Sequence, residues 1–98
     1  MDALIQLLVA CEKLLRKVGE NFWAEKLLQI LKESSSSLDK DLIEEIISFY
    51  GGMGSFNDLI ISHHNDHVVK EKNENRLNNE LAKLRNEIYQ EAVRLRRV

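Results

Sequence analysis

Proline is absent from the 98 residues, glycine occurs four times, and aromatic residues make up only 6%. Sandwiches and barrels need many turn residues, so this scarcity argues against an all-β fold. A single cysteine leaves no internal disulfide. The opening stretch MDALIQLLVACEKLL lacks the basic n-region of a secretory signal, with an acid at Asp2 and charge returning at Glu12. A reducing, cytoplasmic location is therefore expected. No run approaches the ~18 apolar residues of a membrane span, so no membrane partner is expected. A large positive charge is also missing: the net charge is −2, which argues against direct nucleic-acid binding.

What is present is an ordinary globular balance, 44% hydrophobic and 31% charged. The chain reads as one helical domain spanning residues 1–98. At this size it buries only about 60–65% of its unfolded surface. Leu4, Leu8, Cys11, Leu15 and Val18 alternate spacings of four and three, the pattern of an amphipathic helix over residues 3–18. Gly19 follows as a C-terminal stop. Asn21 is the expected N-cap of a second helix carrying Trp23, Leu27, Ile30 and Leu31, with Phe22 beside the cap. Ser34–Ser37 is a short polar connector, and Asp39 or Ser37 caps a third helix built on Leu42, Ile43, Ile46 and Ile47. Gly51, Gly52 and Gly54 end it, with Gly52 and Gly54 serving backbone geometry through positive φ or close backbone approach, and Met53 and Phe56 pointing inward. Residues 59–61 read as either a short helix or an extended piece, and residues 63–67 as a polar loop. Leu77, Leu81, Leu84, Ile88 and Leu95 stripe a long last helix over roughly residues 71–97. The expected fold is all-α: a compact antiparallel bundle of about four main helices with a glycine-rich turn and a long C-terminal helix.

Charge is unevenly spread. Residues 33–66 hold seven acids (Glu33, Asp39, Asp41, Glu44, Glu45, Asp58 and Asp66) against Lys40 alone, a balance of −6. Residues 67–98 are net +3. An acidic block on a small protein points to a basic partner, the alternative being a charged face that serves only solubility.

Catalytic patterns are weak. Gly51–Ser55 lacks the lysine and the preceding strand of a phosphate-binding loop. His63, His64, Asp66 and His67 form an HHxDH cluster without the glutamate of HExxH or an evident distant ligand, so a solvated loop is the better reading and no metal or other cofactor is expected. Cys11 lies on an apolar face, as a small hydrophobe would. Arg94, Arg96 and Arg97 suit the negative end of a helix dipole. No nucleophile has a histidine and carboxylate at interpretable spacing, so an enzyme is not expected.

The segment Phe49-Tyr50-Gly51-Gly52-Met53-Gly54-Ser55-Phe56-Asn57-Asp58-Leu59 resembles a signature of a small bacterial domain family of unknown function. Gly19-Glu20-Asn21-Phe22-Trp23-Ala24 and the helical tail match that family's layout. The resemblance implies a small all-α protein with no assigned catalysis and no active-site residue to carry over. The chain is also similar to immunity proteins encoded beside contact-dependent growth-inhibition and related polymorphic toxins. That similarity implies a partner, a cognate toxin domain such as a basic nuclease, with the free protein a monomer or weak homodimer. The expected contact residues are Asp39, Asp41, Glu44, Glu45, Asp58 and Asp66, with Tyr50, His63 and His64 as anchors. The alternatives are a helical adaptor or dimerisation module using the Leu77–Leu95 stripe, and a small metal-binding enzyme built on the glycine turn and histidines.

Overall fold

The apolar stripe of residues 3–18 forms helix α1, Asp2–Lys17, which buries Leu4, Leu8, Cys11 and Leu15 completely. A computed structural model of the chain describes residues 2–34, 38–51 and 55–97. The expectations placed on Ser37, Gly52, Met53 and Gly54 lie outside those residues. Helix α2 spans Asn21–Ser34, α3 spans Lys40–Ser48 and α4 spans Glu74–Arg96. Three 3₁₀ turns, at Phe56–Asp58, His63–Asn65 and Glu71–Asn73, interrupt the stretch between α3 and α4. Among the described residues there is no strand, and the fold is all-α.

Helix α1 packs on α2 and α4, and α4 also packs on α3. One core joins all four helices, with Leu27 and Ile30 from α2, Ile46 from α3, and Leu81 and Ile88 from α4. With 23 residues, α4 is about 35 Å long and sets the long dimension of the molecule, 41 Å. Its stripe is spent inside the fold: Leu77, Leu81 and Ile88 are buried, and Leu84 and Leu95 pack against the core. Phe56 is fully buried, as its place after the glycines implied.

The turn between α1 and α2 is tightly specified. Gly19 N–H donates to Arg16 C=O at 3.1 Å and Glu20 N–H to Leu15 C=O at 2.8 Å. This paired closure is a Schellman motif, which needs a left-handed residue, and Gly19 has φ +79°. A Cβ at Gly19 would stand 3.6 Å from Val68 Cγ2, an ordinary contact, so the objection to a side chain is conformational and not steric. Gly19→Ala should therefore cost about 1–2 kcal/mol. For a domain of this size, thermal unfolding should fall by about 4–8 °C per kcal/mol, and an unchanged midpoint would contradict the strained φ.

The cap of α2 differs from expectation by one residue. Glu20, not Asn21, supplies it: Glu20 C=O accepts the first helical bond from Ala24 N–H, and its carboxylate accepts from Trp23 N–H at 3.3 Å. Phe22 does not enter the core. It is 64% exposed and meets Trp23 edge-on at 5.4 Å. At α3 the expected cap is present, with Asp39 accepting from Leu42 N–H at 2.9 Å.

Residues 59–61 are not helical, Leu59 having extended backbone, and α4 holds them by polar side chains. Asn78 accepts from Ile61 N–H and donates to Ile61 C=O, both at 2.8 Å. Arg85 Nη1 donates to the carbonyls of Phe56 and Leu59 at 2.9 Å and of Asn57 at 3.3 Å. The segment thus finds its backbone partners on a neighbouring helix, where a sheet would have supplied a strand.

Candidate functional site

Helix α3 turns Leu42, Ile43 and Ile46 inward, so its outer face is Asp41, Glu44 and Glu45, all exposed. Their i, i+3, i+4 spacing puts three carboxylates on one side of a helix anchored by the core. Asp39 lies just before them and spends one oxygen on the cap. Glu44 meets Arg96 of α4 at 3.7 Å, an exposed contact of little strength. Among the described residues Asp41 and Glu45 have no ion-pair partner. The result is a rigid, solvent-facing acidic surface.

The other residues expected to meet a partner fall elsewhere. Tyr50 is half-buried, with its ring 5.0 Å from Tyr89 and 5.6 Å from Phe56, and its hydroxyl donates to Arg85 C=O at 2.8 Å. Burial pushes its phenol well above the usual range. It lines a cleft of about 510 Å³ with Asn57, Arg85, Asn86 and Tyr89. Asp58 ends the 3₁₀ turn at Phe56–Asp58 and lines a second, shallower cleft with Glu20, Trp23 and His67. His63, His64 and Asp66 are exposed on the next turn, where Asp66 takes a left-handed conformation at φ 65°. The His63 backbone N–H donates to Glu74 at 2.9 Å, and the His63 ring bonds the same carboxylate. The backbone N–H, followed by the ring, holds the Glu74 carboxyl below its ordinary range. The nine expected contact residues thus occupy three places: the α3 face, the Tyr50 cleft and the 55–67 turns.

The residue that the sequence misplaced is His67. Read as part of a solvated loop, it is only 7% exposed. Ser62 N–H donates to His67 Nδ1 at 3.0 Å, and Nε2 lies 2.8 Å from Glu20 Oε1. A backbone N–H can only donate, so Nδ1 is unprotonated and Nε2 carries the hydrogen that Glu20 accepts. This is a neutral imidazole held in one tautomer. The Glu20 carboxylate that caps α2 thereby also ties down the loop 47 residues away.

That arrangement bears on chemistry. His67 faces inward, with both nitrogens occupied, while His63 and His64 stack on each other outside, ring centroids 3.9 Å apart. Among the described residues no group of three or more histidine, cysteine, aspartate or glutamate side chains is placed to hold a metal ion. Ser55 lines the same cleft as His67, but His67 has no ring nitrogen left to accept a hydroxyl proton. Cys11 is fully buried, and burial pushes its thiol up to about 12, so it stays a neutral thiol near pH 7. The basic C-terminal end is partly engaged, with Arg94 on Glu91 at 2.6 Å and Arg96 on Glu44.

Among the described residues no helix is long and apolar enough to cross a membrane. No curated protein and no solved structure matches the chain. Residues 16–70, more than half of the sequence, match the model of a domain of unknown function, DUF6966, and the chain belongs to that family.

Proposed function

We propose that the protein is a non-enzymatic inhibitor, an immunity protein that binds and blocks a cognate bacterial toxin domain through the acidic face of α3. One observation supports this reading above the rest: Asp41, Glu44 and Glu45 are exposed together on a short helix whose opposite side is fixed in the core. A nuclease toxin binds a polyanion and so presents a basic cleft. A preordered row of carboxylates is complementary to such a cleft, speeds encounter and disfavours acidic partners. That the Leu77–Leu95 stripe packs on the core supports this reading over a helical adaptor built on that stripe.

The test is co-expression with the toxin that this reading expects to be encoded beside the gene. Glu44→Lys combined with Glu45→Lys should abolish protection while the helical circular-dichroism spectrum stays native. Arg96→Ala with Arg97→Ala should protect as the unaltered protein does. Binding should weaken as salt rises, since exposed charges act over a Debye length of about 8–10 Å at physiological ionic strength. Full protection by the Glu44/Glu45 double variant, with salt-insensitive binding, would reduce the α3 face to a solubilising surface.

A further inference from the structure

A second surface has the opposite charge. Where the end of α1, residues 68–70 and the start of α4 converge, they enclose an open groove of about 710 Å³. Lys17, Lys70, Lys72 and Arg76 line it, with no carboxylate among the lining residues. Among the described residues none of the four cationic side chains has an ion-pair or hydrogen-bond partner. The fold gives no stabilising reason for three of them, because Lys70, Lys72 and Arg76 stand at the N-terminal end of α4, where a helix dipole favours acids. Val18, Val69 and Leu77 supply apolar lining, and Val68 stands beside them 76% exposed. Val68 N–H is committed to Val18 C=O at 2.8 Å, which pins this extended segment to the end of α1. Among the described residues the N–H and C=O of Val69 have no hydrogen-bond partner.

We infer that this groove is a docking site for an extended acidic–aliphatic peptide segment of another protein. An extended peptide alternates its side chains with a period of two, so aliphatic residues can lie on the exposed Val68 and half-exposed Val69 while carboxylates reach the four cations. Its backbone pairs with the open N–H and C=O of Val69, the mode by which a strand adds to an unpaired edge. Nucleic acid fits less well. The lining has no aromatic side chain on which a base could stack, and exposed aliphatic surface contributes nothing to phosphate binding. The site differs from the acidic α3 face in place and in sign, so it stands or falls separately from the toxin-inhibitor reading.

The experiment is an NMR titration of the ¹⁵N-labelled full chain with a short peptide alternating glutamate and valine. Shifts should concentrate at residues 17–18 and 68–77, with the Val69 amide among the largest. Lys70→Glu with Lys72→Glu should weaken binding about tenfold or more. Val68→Ser should weaken it several-fold, and since Val68 is exposed and bonded through its backbone, that variant should keep the fold. Glu44→Lys with Glu45→Lys should bind the peptide as the parent chain does. A lysine–valine peptide should not bind. The proposal is overturned if the glutamate–valine peptide produces no shifts, or shifts centred elsewhere. It is also overturned if an oligothymidylate of equal charge binds as tightly and Val68→Ser leaves both affinities unchanged, which would make the groove a polyanion surface.

Discussion

Trp23→Ala should cost about 3–5 kcal/mol, a large part of the 5–15 kcal/mol that holds a typical domain together. Trp23 is 9% exposed and meets three other aromatic rings. Its ring lies 5.5 Å from Phe49 and 5.0 Å from Phe56, so one side chain links α2, the end of α3 and the turn that follows. Truncation removes the contacts at all three places, and rigid helices on either side limit how far the cavity can collapse. Urea unfolding followed by far-UV circular dichroism measures the loss, since the chain has only this one tryptophan and fluorescence disappears with it. Trp23→Phe, which keeps an aromatic ring in the same cluster, should lose much less. A midpoint that does not move in Trp23→Ala would show that the aromatic cluster carries little of the stability.

The second large effect is expected at His67. His67→Ala orphans the half-buried N–H of Ser62 and removes the partner of Glu20 Oε1. An unsatisfied buried donor costs about 1–3 kcal/mol, to which the vacated imidazole volume adds. Glu20→Gln should be far milder. The amide oxygen can still accept from His67 Nε2–H, so the loss is limited to the 3.3 Å bond from Trp23 N–H to the other carboxylate oxygen, and a neutral imidazole loses no ion pair when the carboxylate charge goes. The contrast is diagnostic of the tautomer. Equal, severe losses in both variants would mean that His67 is charged and paired, and long-range ¹H–¹⁵N correlation of the ring would then show both nitrogens protonated.

The helices were legible because burial leaves a periodic trace. The four-three spacing from Leu4 to Val18, the Gly19 stop and the Asp39 cap each act within one turn of chain, and each is found as the pattern implied. The acidic face of α3 was legible for the same reason, since Asp41, Glu44 and Glu45 are the complement of Leu42, Ile43 and Ile46. His67 was not legible. Polarity places a histidine at the surface unless a distant partner is known, and Glu20 is 47 residues away. Asn78 and Arg85 were hidden by the same rule, reading as the wet side of an amphipathic helix while they hold loop carbonyls and amides. The basic groove left no local signal, because Lys17 is far in sequence from Lys70, Lys72 and Arg76 and sits where a helix dipole already accounts for it.

Asn78 and Arg85 lie seven positions apart, two turns of α4, and so on one side of it. Both reach back 17 to 29 residues to hold the segment from Phe56 to Ile61. Beyond the 3₁₀ turn at Phe56–Asp58 that segment has no regular structure of its own, so its backbone partners are in place only where α4 is docked. The stretch shared with the family ends at residue 70, before α4 begins. A chain cut there would keep every residue of the shared stretch yet lose the two side chains that satisfy its backbone, together with the Leu81 and Ile88 share of the core. Residues 16–70 alone should therefore fail to give a native helical spectrum, because α4 supplies the partners their backbone needs.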